Sequence, residues 1–407
     1  MKEINVQNIL VIGIDAAALA TSAKMAGYNV FAVDYFGDQD LKRACKDNLS
    51  IIAQKPGKSC KRLETNFSPN ALLSLTKKLL ATHRIDAVLL ASGLEDSFQP
   101  LAKLNDLIPI IGNHPKIIKK VRDKMRFFHE LKKIAIPYPE TALARNPDEG
   151  KRAAKDIGYP VMVKPLAGFG GVGIRKVKDR DELGKVFPQV VSLSRGVLIQ
   201  EFVSGMDASV SFLSSKKAAV VLTLNEQLLG IQGVGQKEPF GYCGNIAPAS
   251  ASEALMDICR DTVQKIASHF SLTGSNGVDL VISKDGIPYV VEVNPRFQGT
   301  LECVERILGI NLVNAHIKAC VEGILPLLRE GRVATSCVRL ILYAQQRSII
   351  PRLTDLAEAR DIPLPGVIIE EGEPLCSIVV EEKTRSSALR KSEMLANLIY
   401  GIVKPQY

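Results

Sequence analysis

The chain of 407 residues has no tryptophan and only 5 histidines, and aromatic residues make up 5% of it. Its 8 cysteines include no C-x-x-C pair, so the sequence gives no sign of a zinc ribbon or a dithiol redox centre. Most cysteines lie among apolar residues, as small core side chains do in a reducing compartment. No apolar run is long enough to span a bilayer, and the N-terminus lacks the shape of a signal peptide. These features predict a cytoplasmic protein without a membrane partner.

The charge of the chain limits the classes of partner that it is expected to bind. The formal net charge is +9, and the lysines and arginines are spread along the chain, with the densest group between positions 116 and 126. A nucleic-acid-binding protein would add a recognisable module to its basic surface, and none is present, so we expect no nucleic-acid partner. Anionic small molecules such as nucleotides account for the charge equally well. The length predicts two or three domains.

The first hundred residues have the pattern of an open α/β sheet. Two buried strands, Asn8–Gly13 and Asn29–Asp34, flank a segment with helical apolar spacing. Asp34 follows Gly13 at roughly the ribose-binding distance of a dinucleotide fold, but two alanines stand where further glycines would be needed. An NAD-dependent enzyme therefore stays open as a minor alternative, and a structural or substrate-binding role is favoured.

Two acids follow the next buried strand of this sheet. Glu95 and Asp96 come shortly after the apolar run Ala87–Ala91. Polar groups beyond the carboxyl end of a strand in an open α/β sheet are placed to bind ligand. The alternative is that they are acids in the first turn of a helix, where the helix dipole favours them. Both interpretations stay open, and we carry Glu95 and Asp96 as candidate substrate residues.

The middle of the chain combines a buried lysine with a glycine-rich loop. A helix is predicted over Pro115–Lys133, and a short buried strand, Pro160–Pro165, carries Lys164. A lysine in such a strand is costly unless it meets an anion. Four glycines follow closely and give the backbone freedom to close on phosphate oxygens; they are Gly168, Gly170, Gly171 and Gly173. The long polar segment Gly230–Pro248 is predicted to be a functional loop.

A β-hairpin with opposed acids comes next. Asp285-Gly286 between two apolar runs is a strong hairpin signal. With these two residues as the loop, Asp279 faces Glu292, at a Cβ separation of about 5 Å. Asn294 lies on the same face as Glu292 because strand side chains repeat every two residues, and Arg296 follows. Like charges placed opposite each other repel, and hard oxygen ligands at one spot suit Mg²⁺ shared with nucleotide phosphates. An exposed hairpin with incidental acids is the alternative.

The order of these parts resembles the ATP-grasp superfamily, in particular the branch that contains biotin carboxylase, the large subunit of carbamoyl-phosphate synthase and the purine-pathway carboxylases. The resemblance covers roughly residues 8–325, and the tail is more loosely similar to the C-terminal lobe of that branch. It implies a multidomain α/β and α+β protein. The implied units are a Rossmann-like domain over 1–114, an ATP-grasp domain over 115–330 with a lid subdomain at about 138–202, and a small α+β lobe over 331–407.

The resemblance also implies residue roles. Lys124 and Lys164 match the two nucleotide-phosphate lysines, and the four glycines match the lid loop over the phosphates. Glu201 with the Phe202-Val203 backbone matches the adenine-binding hinge, and Asp207 matches a ribose-binding acid. The implied metal ligands, for Mg²⁺ or Mn²⁺, are Asp279, Glu292 and Asn294. Arg296 matches the arginine that holds the transferred phosphate or the carboxylate being activated, so Arg296 and Lys164 are the candidate catalytic residues.

The implied activity is that of an ADP-forming C–N ligase of the carboligase type, acting in biosynthesis. ATP activates a carboxylate as an acyl phosphate, and an amine then forms an amide or peptide-like bond, so the expected partners are a small carboxylate and a small amine. The alternatives are a bicarbonate-dependent carboxylase acting through carboxyphosphate, and a nucleotide-binding regulatory module without turnover. Relatives of this kind are often dimers, so a homodimer is one expected assembly state.

Overall fold

The N-terminal unit is built on a parallel sheet with the strand order β3-β2-β1-β4. The computed structural model describes residues 6–168, 170–193, 196–328 and 334–406. Strands β1 and β2 are almost wholly buried, as their unbroken apolar runs require of a sheet covered on both faces. The elements are β1 Asn8–Ile12, α1 Ala17–Met25, β2 Asn29–Asp34, α2 Gln39–Ala44, β3 Asp47–Ser50, α3 Leu63–Asn66, α4 Pro69–Leu80, β4 Ala87–Leu90 and α5 Phe98–Leu107.

Two short helices then replace the single helix predicted over Pro115–Lys133. They are α6 Pro115–Arg122 and α7 Lys124–Lys133. The prediction was wrong at Asp123, which leaves the helical backbone with ψ at 95° and accepts a hydrogen bond from the backbone N–H of Arg126. Asp123 therefore caps a second helix, as aspartate at an N-cap does. The break places Arg122 and Lys124 on either side of one corner.

A four-stranded antiparallel sheet forms the next unit, in the order β5-β8-β6-β7, with two helices packed on it. Its strand β6 carries Lys164, and its strand β8 ends at Glu201. The elements are β5 Thr141–Ala144, α8 Pro147–Ile157, β6 Val161–Pro165, β7 Arg175–Val177, α9 Arg180–Val191 and β8 Val197–Glu201.

An eight-stranded sheet forms the centre of the molecule, in the order β13-β12-β9-β10-β11-β14-β18-β16. Strand β11 pairs with β14, so the sheet continues from the acidic hairpin into the C-terminal lobe. Part of the predicted loop 230–248 belongs to this sheet as β11. The elements are β9 Gly205–Ser214, β10 Ala219–Leu229, β11 Tyr242–Ala247, α10 Glu253–Phe270, β12 Gly274–Ser283, β13 Pro288–Asn294, α11 Leu301–Leu308 and α12 Leu312–Val321.

The C-terminal lobe shares a hydrophobic core with the N-terminal unit. Ile14 and Tyr35 of the first sheet pack in the same buried cluster as Val338, Ile378 and Ile399. The lobe consists of β14 Ser336–Tyr343, β15 Ser348–Ile349, β16 Ala359–Arg360, β17 Ile368–Ile369, β18 Pro374–Glu382, α13 Arg385–Ile402 and β19 Lys404–Pro405. A cleft is thereby enclosed between the first sheet, the lid sheet and the central sheet. The domain boundaries themselves stay a prediction.

Candidate active site

A cavity of about 540 Å³ lies in this cleft, and residues from the N-terminal unit, the lid, the central sheet and the C-terminal lobe line it. Fifteen of the sixteen predicted site residues are in its wall, and the exception is Gly173. The residues that the structure brings together are Glu95, Asp96, Lys124, Lys164, Gly168, Gly170, Gly171, Glu201, Phe202, Val203, Asp207, Asp279, Glu292, Asn294 and Arg296.

The acidic hairpin has the predicted pairing at its open end. Asp279 is opposite Glu292, and Gly277 is opposite Asn294. The predicted two-residue turn is wrong, because Gly286 donates its N–H to the carbonyl of Ser283 and the N–H of Ser283 bonds to the carbonyl of Ile287, which makes a three-residue loop. A register shift between Asp279 and Leu280 compensates for the extra loop residue. Asp279 and Glu292 still face each other because the longer loop and the register shift offset each other.

Two cations hold the carboxylate of Glu292. The Nη1 of Arg122 donates to Oε1, and the Nζ of Lys124 donates to Oε2. Burial by itself would raise the pKa of Glu292, but the charges and hydrogen bonds of Arg122 and Lys124 outweigh it and hold that pKa well below its ordinary value. Glu292 is therefore a carboxylate at any physiological pH.

At Asp279 the effects that raise the pKa outweigh those that lower it. Burial, followed by the charge of Glu292, raises the pKa of Asp279 to about 6, although Arg296 and a hydrogen bond from Asn294 lower it. The Nδ2 of Asn294 donates to Oδ2 at 2.9 Å, and the Nε2 of Gln227 donates to Oδ1 at 2.9 Å. Glu292 thus has two cations on its own carboxylate, whereas Asp279 accepts from two neutral amides and faces the charge of Glu292.

The two acids of the N-terminal sheet meet the arginines of the site. The Nε of Arg296 donates to Oε1 of Glu95 at 2.7 Å. The Nε and Nη2 of Arg122 donate to the two oxygens of Asp96 at 2.6 and 2.8 Å. Burial opposes ionisation of Glu95, yet Arg296 and Arg122 lower its pKa overall. Glu95 and Asp96 therefore connect the first sheet to the acidic hairpin through ion pairs.

Lys164 has no side-chain hydrogen bond or ion pair within the described residues, although it lies in the wall of the cavity. Burial and then the charge of Lys124 lower the pKa of Lys164 to about 8. Asp207 is a nearby acid, and burial raises its pKa while Lys164 lowers it. A buried amine that lacks an anion in the protein is suited to bind an anionic ligand.

The glycine loop is held against the segment that precedes β11. The N–H of Tyr242 donates to the carbonyl of Gly170 at 2.9 Å. Gly171 has a φ of +78°, and a Cβ added there would lie 1.9 Å from the carbonyl oxygen of Phe240. Glu238 accepts hydrogen bonds from the N–H of Gly173 at 3.1 Å and from Nη1 of Arg175 at 2.5 Å. Of the predicted glycine segment, Phe169 lies outside the described residues.

The predicted adenine hinge follows strand β8. The carboxylate of Glu201 accepts a hydrogen bond from the N–H of Glu140 at 3.1 Å. Phe202 and Val203 form no backbone hydrogen bond within the described part of the chain, so their peptide groups are available to a ligand. The Nζ of Lys176 lies 3.5 Å from the centre of the Phe202 ring, in a cation–π contact.

The donor set of the hairpin fits a divalent cation. Two half-buried carboxylates and an amide oxygen are the hard oxygen ligands that Mg²⁺ prefers, with its remaining positions left to phosphate and water. The charge of Glu292 is the second cause, after burial, that raises the pKa of Asp279, and a dication between the two acids would relieve that repulsion. No cluster of three or more His, Cys, Asp and Glu suited to a metal occurs among the described residues.

Sequence reasoning missed four residues of the site. Arg122 was noted only as part of the basic cluster, although aspartate after it could have indicated a helix break. Gln227, Glu238 and Tyr242 come from the central sheet and the loop before β11. Glu238 and Tyr242 lie within the segment 230–248 that was predicted to be functional, but no pattern gave them individual roles. No local pattern marks Gln227, because its role depends on which strand lies beside the hairpin.

Comparison with known proteins agrees with this geometry. A family model described as an ATP-grasp domain matches residues 121–300. An uncharacterized protein of Methanocaldococcus jannaschii is 27% identical over 383 residues, which are 93% of this chain and 89% of that protein. The carbamoyl phosphate synthase large chain of Methanothrix thermoacetophila is 31% identical over 51% of this chain but only 19% of its own length. The match therefore covers about a fifth of the length of that synthase chain.

Solved structures resemble the whole chain. The biotin carboxylase domain of Hydrogenobacter thermophilus 2-oxoglutarate carboxylase, solved with MgADP and bicarbonate, has a TM-score of 0.76 at 18% identity, over 98% of this chain and 91% of its own. An L-amino acid ligase from Bacillus licheniformis has a TM-score of 0.69 at 17% identity, over 98% and 99%.

None of the described helices is long and apolar enough to cross a membrane.

The fold and the family match agree with the sequence-based prediction. That prediction was made from the lysine strand, the glycine loop and the acidic hairpin. Residues 121–300 thus match an ATP-grasp domain, and the chain as a whole has the ATP-grasp fold.

Proposed function

We propose that the protein is an ADP-forming ligase that uses Mg-ATP to join a small carboxylate to an amine. The supporting observation is the convergence of an anion-seeking lysine, a glycine loop and a half-buried pair of acids on one cavity. Lys164 lacks a partner where phosphate would bind, and Asp279 and Glu292 face each other with a repulsion that a dication would relieve. These are the parts that phosphoryl transfer requires.

The proposed reaction has two steps. An oxygen of the carboxylate attacks the γ-phosphorus of ATP, the bond to the bridging oxygen breaks, and ADP leaves. The amine nitrogen then attacks the acyl carbon, the carbon–oxygen bond to phosphate breaks, and inorganic phosphate and one proton are released. The product is an amide or a peptide-like bond.

This chain's residues would bind and orient the reactants. Lys164 and Lys124 would neutralise phosphate oxygens, and Arg296 would hold the carboxylate or the transferred phosphoryl group. Asp279, Glu292 and Asn294 would hold Mg²⁺, which when bound supplies charge neutralisation at the phosphates. The glycine loop would exclude water and so protect the acyl phosphate from hydrolysis.

A bicarbonate-dependent carboxylase is the second candidate, favoured by the resemblance of the fold to a biotin carboxylase domain solved with bicarbonate. Its signature is release of ADP that depends on bicarbonate and requires no amine. The ligase instead requires a carboxylate and an amine together.

A screen of carboxylate and amine pairs with Mg-ATP, following release of ADP and phosphate, tests the proposal. Lys164→Ala and Glu292→Gln should each reduce turnover about 100-fold or more, since each removes charge stabilisation from the transition state. Lys185→Ala is the matched control, because Lys185 is an exposed lysine on helix α9 of the same lid. Wild-type turnover in either site variant would refute the site assignment, and an ATPase signal that both variants leave unchanged would favour a regulatory module without turnover.

A further inference from the structure

A second group of charged residues lines the same cavity, between the N-terminal sheet and the C-terminal lobe. Asp15 and Asp38 follow strands β1 and β2, at the sheet edge where open α/β sheets bind ligands. Asp361 follows β16 of the lobe, and Arg339 projects from β14. All four line the cavity. We call Asp15, Asp38 and Asp361 with Arg339 the acidic pocket.

The acids at this junction differ in how completely the protein satisfies them with hydrogen bonds. Asp34 and Asp40 lie behind the pocket and have structural partners: Asp34 accepts from the Ser50 hydroxyl and the Gly37 N–H, and Asp40 from the N–H groups of Asp361 and Ile362. Neither lines the cavity.

Asp38 and Asp361 each have one carboxylate oxygen without a hydrogen-bond donor among the described residues, whereas Asp15 accepts from the N–H of Ala17 at 3.1 Å and from Arg339. Asp38 is 5% exposed, and the one side-chain hydrogen bond that it accepts within the described residues comes from Gln54 at 2.8 Å. Asp15 and Asp361 share the Nη2 of Arg339, at 3.2 and 2.6 Å.

The ion pair of the pocket is incompletely paired. Arg339 is 5% exposed, yet its Nε has no hydrogen-bond partner among the described residues, and neither has Oδ1 of Asp361. Both atoms are closed off from solvent, so a ligand in the cavity does not reach them directly. Buried polar groups in folded proteins are normally paired with protein, water or ligand. Asp38 lines the cavity with a single side-chain donor, so its carboxylate has capacity left for a ligand.

The balance of charge gives the sign of that molecule. Glu373 is a fourth acid in this part of the wall, and the cations there are Arg339 and the exposed Lys61, so acids outnumber cations by four to two. Burial is the main cause that raises the pKa of Asp38 well above its ordinary value, and the charge of neighbouring acids adds to it. A cationic ligand would relieve the repulsion among these acids and favour their ionised form.

The pocket is close to the reacting end of the cavity. The Tyr242 phenol interacts electrostatically with Arg339 of the pocket and with Asp279 and Arg296 of the candidate ATP site. Tyr242 and both groups of residues line the same cavity, so a molecule bound at the acids can extend toward Arg296. This is where the second substrate of a ligase must lie.

We propose that Asp15, Asp38 and Asp361 bind an ammonium group of the amine substrate, and that this substrate is an aliphatic diamine, of which a basic amino acid is one form. An ammonium nitrogen held by carboxylates has no lone pair for attack. The nitrogen that attacks the acyl carbon must therefore be a second amino group of the same molecule. The inference rests on the proposed function, because only a ligase requires that second group to react.

Calorimetric titration of the full-length protein tests the pocket without requiring turnover. The probes are 1,3-diaminopropane to 1,6-diaminohexane and lysine, with 1-aminobutane as the single-amine comparison and Ca²⁺ as a metal competitor. We expect at least one diamine to bind saturably and at least tenfold more tightly than 1-aminobutane.

Asp38→Asn is the decisive variant. Asparagine keeps the shape and an oxygen that can accept from Gln54, but it removes the charge. We expect diamine affinity to fall tenfold or more, and Asp15→Asn to act in the same direction. Asp106→Asn, at an exposed position of α5, should leave it unchanged. Circular dichroism and Mg-ATP binding of each variant report whether it is folded.

The outcomes separate this inference from the proposed function. If Mg-ATP binds with dependence on Lys164 and no diamine binds, the pocket assignment is overturned and the ligase proposal stands. If diamine binds with dependence on Asp38 and ATP does not bind, the ligase proposal fails and the cation pocket stands. Equal affinity of Asp38→Asn and the parent protein, or displacement of the diamine by Ca²⁺ at equimolar concentration, would overturn the amine pocket.

Discussion

Glu292 is the residue at which the charges of the site are balanced. Its two oxygens accept hydrogen bonds from Arg122 and Lys124, which belong to different helices because Asp123 separates α6 from α7. The guanidinium of Arg122 also grips Asp96 with two hydrogen bonds, and only 7% of its side chain is exposed. One planar donor group thus connects the loop after β4 to the hairpin, which a lysine cannot do with its single ammonium.

Arg122→Lys should therefore weaken both the structure and the reaction. It keeps the positive charge but loses the fork that contacts Asp96 and Glu292 together. We expect a loss of about 2 kcal/mol in the free energy of unfolding, the order of one or two hydrogen bonds to charged groups, and a fall in turnover of at least tenfold. Urea denaturation and ADP release measure the two effects. Arg126→Lys, at an exposed position on α7, is the control.

An unchanged turnover in Arg122→Lys, with the expected loss of stability, would restrict Arg122 to a structural role. Recovery of turnover by the Arg122→Lys variant at high Mg²⁺ concentration would instead indicate that Arg122 positions Glu292 for the metal.

At the scale of elements, hydrogen bonds join the glycine loop to Glu238 and Tyr242, which lie just before β11 and at its first residue. Glu238 bonds both the N–H of Gly173 and the guanidinium of Arg175, and Tyr242 donates its N–H to Gly170. About a quarter of the Glu238 side chain is exposed, so the ion pair alone contributes about 1 kcal/mol or less. The backbone hydrogen bonds and the close approach at Gly171 supply the rest of the contact.

Glu238→Gln should loosen this closure. The substitution removes the ion pair but keeps an acceptor for Gly173. We expect nucleotide affinity to fall a few-fold, and a larger share of ATP to be hydrolysed to ADP and phosphate without product, since water reaches the acyl phosphate. Comparing ADP release with product formation measures the uncoupling. Glu226→Gln removes an ion pair with Arg385 outside the cavity and should leave the ratio unchanged; the same ratio in both variants would contradict the role of Glu238.

Several elements were predictable because their signals are local. The pairing of Asp279 with Glu292 follows from strand periodicity and one turn. The predicted loop was one residue too short, but the pairing is still correct because the register shift after Asp279 compensates for the extra loop residue. The break at Asp123 was missed because basic and apolar residues on both sides continue a helical pattern, while the cap depends on one aspartate.

At the scale of the whole molecule, the buried acids at the junction of the first sheet and the C-terminal lobe determine how stability varies with pH. Burial, partly offset by hydrogen bonds or by Arg339, raises the pKa of both Asp15 and Asp34 to about 7. A carboxyl whose pKa is raised on folding holds its proton more tightly in the native state. Its contribution to stability is therefore complete below the unfolded pKa and lost as pH rises through the folded pKa.

The protein without ligands should accordingly lose the last part of this stability between pH 6.5 and 7.5, where the two folded carboxyls release their protons. His316 acts in the opposite direction, since burial lowers its pKa from 6.5 to about 4, and its effect is still growing just above pH 6.5, so it offsets part of the loss. We expect the melting temperature to fall by a few degrees over this interval, since one kcal/mol corresponds to about 2–4 °C in a protein of this size class. Calorimetry across the interval measures it, with Asp38→Asn showing a smaller fall than Asp106→Asn. A constant or rising melting temperature would contradict the prediction.

The sequence by itself determined the parts of the candidate nucleotide site: a lysine in a buried strand, the glycines after it and the acidic hairpin, each specified by residues close to it in the chain. Only the tertiary structure decided which distant groups meet them. Arg122 reaches Glu292, Glu238 reaches the glycine loop, and Asp15 meets Asp361 through Arg339 across more than 300 positions of the chain. Such contacts depend on how sheets pack against one another, and packing of distant segments leaves no periodic mark in the sequence.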